Sequence, residues 1–158
     1  MMRILVFCLV MAFSCDSFAV KVKIRGEGIT DDEIANAIRS PRPLSVSKAI
    51  DYVKSKYHED DIEVLDFRNN SITFSGAHKI LEFALSLPKL RKLSFHTNRI
   101  YDWRGQEAFE AFEKTLMTLL DKPTFETLDI RTNGIANLSW YQGMNSKTIN
   151  AYKIKWAN

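Results

Sequence analysis

Residues Ile62–Ile72 read IEVLDFRNNSI, and the same skeleton returns twice. Leu90–Ile100 reads LRKLSFHTNRI and Phe125–Ile135 reads FETLDIRTNGI. The shared pattern is apolar-x-x-Leu-x-apolar-x-x-Asn-x-Ile. Its middle alternates apolar and polar residues, as a strand with one buried face does. Asparagine then falls where the chain must leave the strand. The copies begin 28 and 35 residues apart, and the first two are each followed by an apolar stripe at helical spacing. Strands that alternate with helices predict an α/β chain with a parallel sheet.

This skeleton resembles the strand-and-turn half of a leucine-rich repeat. A period of 28 residues with a glycine ahead of a full helix resembles the ribonuclease-inhibitor-like class. The resemblance implies a short solenoid, with a parallel sheet on one side and helices on the other. Leu65, Leu93 and Leu128, with Phe67, Phe95 and Ile130, are then expected to point inward. Asn70, Asn98 and Asn133 are expected to form a ladder, their amides bonding backbone groups of the turn and of the neighbouring copy.

Outward from the three copies, Val20–Ile29 (VKVKIRGEGI) aligns with the skeleton. Val22, Ile24 and Ile29 fall where Leu65, Phe67 and Ile72 fall, and Glu27 replaces the asparagine. Thr30-Asp31-Asp32-Glu33 is a capping box that predicts a short helix. A second helix is expected from Pro43 or Leu44, with Val46, Ala49, Ile50, Val53 and Tyr57 as its stripe. After the first copy, Gly76 is expected to precede a helix burying Ala77, Ile80, Leu81 and Ala84. After the second, Gly105 leads into a helix burying Ala108, Phe109, Phe112, Leu116 and Leu119. Ile149, Tyr152 and Ile154 match the first three apolar positions again, which predicts a closing strand. The domain reading is therefore residues 20–61 as an N-terminal cap, 62–135 as repeats and 136–158 as a C-terminal cap, since terminal repeats are normally atypical.

The first 19 residues read differently. Arg3 precedes an apolar run over Ile4–Ser14, and Ser17-Phe18-Ala19 has small residues at the two positions a signal peptidase reads. The expectation is export to a secreted or periplasmic location, with cleavage after Ala19. Lipid anchoring through Cys15 is the weaker alternative. The run is too short to span a bilayer. Both cysteines, Cys8 and Cys15, lie within the first 19 residues, so the remainder has neither disulfides nor a cysteine-ligated metal. The net charge is +3 among 158 residues, too mild to imply nucleic acid or stable membrane insertion.

Strand alternation assigns the candidate binding face. If the skeleton residues are buried, one outward column is Arg25, Arg68, His96 and Arg131, extended by Lys155 if the last segment adds a strand. Its neighbour is Lys23, Asp66, Ser94, Asp129 and Lys153. Asp66 and Asp129 are expected to face solvent and to neutralise the arginines there, in exposed pairs worth about 0–1 kcal/mol each. The face remains basic and suits a protein partner with an acidic patch. Trp103, in Tyr101-Asp102-Trp103-Arg104, is a further contact candidate because Trp, Tyr and Arg are enriched in binding hot spots.

The histidines His58, His78 and His96 are scattered, and none has metal-ligand spacing with a carboxylate. His78 is expected on an exposed helix face. Ser94 and His96 share a face, which leaves a small secreted hydrolase as the alternative. A flat sheet provides no oxyanion hole or pocket for it. The reading is a non-enzymatic binding module without cofactor, with Asp66, Arg68, Ser94, His96, Asp129, Arg131 and Trp103 as contacts.

Overall fold

The computed structural model describes residues 19–31, 45–100, 106–133 and 154–155. Five strands form one parallel sheet in sequence order: β1 (Val20–Lys23), β2 (Ile62–Asp66), β3 (Lys92–Ser94), β4 (Thr127–Asp129) and β5 (Ile154–Lys155). Among the described residues, three helices lie between them: α1 (Val46–Lys56), α2 (Phe74–Ser86) and α3 (Gln106–Asp121). A 3-10 turn at Glu59–Asp61 leads into β2.

Parallel neighbours need a crossover long enough to return the chain to the same end of the sheet, and a helix supplies it. The three copies are brought into register at their shared leucine: Leu65 pairs with Leu93, and Leu93 with Leu128. Val22 pairs with Leu65, so the alignment of Val20–Ile29 with the skeleton holds in space. Backbone bonds continue past the strand ends. Phe67 N–H reaches Ser94 O at 2.8 Å, and Phe95 N–H reaches Asp129 O at 2.7 Å.

One sheet face is sealed. Val22, Ile24, Leu65, Phe67, Leu93, Phe95, Leu128 and Ile130 are all buried. They meet the buried faces of the helices: Val46, Ala49 and Val53 from α1, Ala77, Ile80, Leu81 and Ala84 from α2, and Phe112, Leu116 and Leu119 from α3. Each large apolar side chain of this kind contributes about 1.5–3 kcal/mol of transfer free energy. Phe67 stacks on Phe95 at 6.4 Å, and Phe74 of α2 meets Phe112 of α3 at 4.4 Å.

Several details depart from the sequence reading. α1 starts at Val46, where the Ser45 hydroxyl accepts the Lys48 N–H at 3.3 Å. α2 starts at Phe74, so Gly76 lies inside the helix rather than before it. His78 is not on an exposed face: it is half-buried, with Nε2 3.1 Å from Thr115 Oγ1 and its ring edge-on to Phe112. Ile154 pairs with Leu128 and Lys155 with Asp129, so β5 is shifted two residues from the expected alignment. A shift of two keeps the same residues on the same face, because side chains alternate with a period of two. It moves Lys155 out of the arginine column into the aspartate column. Residues 1–18, the short helix expected after Asp31, Trp103, Gly105 and most of 136–158 lie outside the described residues.

Candidate functional site

The outward face is assembled at the ends of β1 to β4. There the strands stop and the chain turns through four equivalent residues in the left-handed region: Gly26 (φ 66°), Asn69 (58°), Thr97 (59°) and Thr132 (56°). Left-handed backbone suits glycine and is tolerated by asparagine. It costs a β-branched threonine about 1–3 kcal/mol.

Next to each of the last three stands the ladder asparagine. The Asn98 amide donates to Phe67 O at 2.9 Å and to Phe95 O at 2.8 Å, while its oxygen accepts Ile72 N–H at 3.1 Å. Asn133 repeats this one strand on, donating to Phe95 O at 2.8 Å and Ile130 O at 3.0 Å and accepting Ile100 N–H at 3.3 Å. Asn70 donates to Ile24 O at 2.8 Å and Phe67 O at 3.0 Å, and accepts Ile29 N–H and Glu27 N–H, each at 3.1 Å. The expected ladder is present. It leaves the residues between Leu and Asn to project outward.

The backbone bonds Asn69 N–H to His96 O and Thr97 N–H to Arg131 O, each 3.0 Å, set Arg68, His96 and Arg131 side by side. Arg25 continues the row through Gly26 N–H to Arg68 O at 3.1 Å. The predicted column therefore exists. Lys21, Lys23 and Lys92 are exposed near it.

The neighbouring column differs from expectation. Asp66 and Asp129 are not solvated; they are 5% and 8% exposed. Asp66 is covered by two arginines and Asp129 by one. Asp66 receives Arg25 Nε at 2.6 Å, together with Arg68 Nε at 2.9 Å and Nη2 at 3.0 Å. Asp129 receives Arg131 Nε at 2.8 Å and Nη2 at 2.7 Å. The cause is geometric. A carboxylate that also accepts the backbone N–H two residues on, as Asp66 does from Arg68 and Asp129 from Arg131, is drawn down onto the turn. The guanidinium then folds over it.

The two carboxylates titrate in opposite directions. Burial pushes Asp66 above the usual carboxylate value, against the hydrogen bond from Arg25 and the charges of Arg25 and Lys23. Burial acts on Asp129 as well, but the side-chain and backbone hydrogen bonds from Arg131, with its charge and that of His96, bring Asp129 below that value.

At the middle position Ser94 and His96 replace the Asp/Arg pair. Ser94 Oγ accepts the backbone N–H of His96 at 3.4 Å, and His96 Nε2 lies 3.3 Å from Thr132 Oγ1. The imidazole thus faces the next turn rather than the serine hydroxyl. Arg91 is engaged at the opposite strand ends: Nε donates to Glu126 at 2.7 Å and Nη1 to Glu63 at 3.3 Å. Trp103 falls outside the described residues.

What sequence reasoning missed is the clasp. The signal was present as Asp-x-Arg at 66–68 and 129–131, where the spacing of two lets one carboxylate take both a backbone and a side-chain donor. Among the described residues, no group of three His, Cys, Asp or Glu side chains could hold a metal ion. No described helix is long and apolar enough to cross a membrane. Comparison with protein-family models, with curated proteins and with solved structures gave no match.

Proposed function

We propose that this chain is a short leucine-rich-repeat solenoid of the ribonuclease-inhibitor-like class, exported to a secreted or periplasmic location, that binds a protein partner through its open sheet face without catalysing a reaction. The partner surface is acidic. The observation that carries this reading is the row Arg25, Arg68 and Arg131, in which each guanidinium is held at one edge by a buried aspartate. A held guanidinium has already lost much of its side-chain freedom, so less ordering is required when a partner arrives. Its remaining N–H groups are left to point outward. The ladder and the sealed face beneath fix the spacing of the row.

The test is affinity capture with the chain lacking residues 1–19, comparing wild type with Arg68→Glu/Arg131→Glu across a salt series. The expected partner is retained by the wild type, is lost from the variant and dissociates as salt rises, because complementary charge acts largely on association. A partner held equally by both proteins and insensitive to salt would sink the proposal. The Ser94/His96 hydrolase reading has weaker support, since neither side chain is aimed at the other.

A further inference from the structure

The outward face contains one incomplete clasp. In the copies on either side of the middle one, a carboxylate does two jobs. Asp66 Oδ1 accepts the Arg68 backbone N–H at 3.2 Å, and Asp66 Oδ2 holds Arg68 Nη2. Asp129 Oδ1 accepts the Arg131 backbone N–H at 3.3 Å, and Asp129 Oδ2 holds Arg131 Nη2. In the middle copy Ser94 pairs in register with both aspartates. Its single Oγ performs the first job, accepting His96 N–H at 3.4 Å. The second oxygen has no counterpart. The column of charge-bearing side chains nevertheless continues through His96, with Arg68 on one side and Arg131 on the other.

We infer that the place over Ser94 and His96 is a seat for one carboxylate side chain of the partner. The partner's Asp or Glu supplies the oxygen that Ser94 lacks. This rests on the proposed binding role of the face and deepens it by naming the group recognised. Adjacent parallel strands are about 4.8 Å apart, so Arg68 and Arg131 bracket the seat at roughly 10 Å between their backbones. Arg68 and Arg131 each keep one edge of the guanidinium beyond the one their own aspartate occupies. An incoming carboxylate therefore meets donors on both sides, and charge-assisted bonds of this kind are the strong ones.

The seat is also acid-responsive. The charged groups facing His96 are Asp66 and Arg68 from one neighbouring strand and turn, and Asp129 and Arg131 from the other. Thr132 contacts Nε2, and Ser94 lies on its own strand. Imidazole is the side chain that gains its charge between roughly pH 8 and 5. Protonated, His96 joins Arg25, Arg68 and Arg131 as a fourth cation of the row and donates from both ring nitrogens. A carboxylate in the seat is accordingly held more tightly in mild acid.

The test is a titration of the protein lacking residues 1–19 with a hexaglutamate peptide, followed by NMR of the histidine rings. His58 and His78 serve as internal references, because neither lies on this face. The expected result is a saturable shift of the His96 ring alone, with affinity several-fold higher near pH 6 than near pH 8. His96→Gln is expected to abolish the pH dependence and retain the weaker binding. Arg131→Gln is expected to lower affinity about tenfold at both pH values. Shifts of all three histidines together, or a pH dependence that persists in His96→Gln, would overturn the seat. So would inorganic phosphate moving His96 in preference to the peptide. If the peptide moves the resonances of Arg25 and Lys23 but not His96, the acidic-partner reading stands and the seat fails. If no resonance on the face moves, both fail.

Discussion

The carboxylate of Asp31 accepts the backbone N–H of Thr73 at 2.9 Å, across 42 residues of sequence, and also takes the Thr73 hydroxyl. Thr73 is the N-cap of α2, and its own side chain makes no capping bond within the helix. A residue just after the first turn thus caps the helix of the next copy. Gly76 makes room for it: a β-carbon there would run into Asp31 Oδ1 and lie 2.9 Å from Val46 Cγ2.

Alanine has the higher helix propensity, by about 1 kcal/mol, yet Gly76→Ala is expected to destabilise by about 1–3 kcal/mol through overpacking. Chemical denaturation measures it. The loss should shrink when Gly76→Ala is made in an Asp31→Gly background. An equal loss in both backgrounds would show that the carboxylate is not what the alanine meets.

The asparagine ladder predicts a graded series. Asn98 and Asn133 are buried, whereas Asn70 is only partly so. Asn98→Ala deprives Ile72 N–H of its side-chain acceptor and Phe67 O and Phe95 O of a donor, without water to replace them. Each carbonyl keeps a second amide donor, from Asn70 and Asn133 respectively, so Ile72 N–H is the group left orphaned, and a loss of about 1–3 kcal/mol is expected. Asn70→Ala should cost less. A thermal melt of Asn98→Ala that coincides with wild type would remove the ladder from the account of stability.

Thr97 and Thr132 hold left-handed backbone that the first two turns give to Gly26 and Asn69. Thr97→Asn is therefore expected to stabilise by about 0.5–1 kcal/mol, since asparagine tolerates that region. A lower melting temperature for this variant would show that the threonine gains more from its surroundings than its backbone loses.

Acid should separate the two clasps. Asp129 has a folded-state value below its unfolded one, so it contributes stability above the unfolded value that disappears as pH falls through the folded one. Asp66 has the opposite sign. Its raised folded value means that the folded state holds the proton more tightly, so stability from this group falls as pH rises from the usual carboxylate value through the raised one. Asp129→Asn is expected to flatten the acid limb of a stability–pH profile, and Asp66→Asn to be better tolerated at neutral pH. Equal losses at neutral pH would contradict the assignment.

The sheet was legible in the sequence because its cause is local and repeated. Leucine at each inward position and asparagine at each exit are required by burial and by backbone satisfaction, so they recur and can be aligned, even at Val22 and Ile24. The columns of the face followed from alternation alone. Depth did not follow. Asp66 and Asp129 stand at outward positions, and only the N–H two residues on draws them down. The role of Asp31 was hidden because its partner is 42 residues away, and its neighbours read equally well as a local capping box. The left-handed threonines were hidden as well, since Thr ordinarily signals extended backbone. The β5 register was missed because a two-residue slip leaves the apolar alternation unchanged.

The ladder bonds between copies all run one way. Asn70 reaches back to Ile24 and Ile29, Asn98 to Phe67 and Ile72, and Asn133 to Phe95 and Ile100. A turn is therefore closed by the turn that follows it in the chain, never by the one before. No described turn precedes that of β1, and there Glu27 stands in place of the skeleton asparagine. The expected order of closure on a ribosome is therefore the order of synthesis, each turn gaining its last bonds when its successor has emerged.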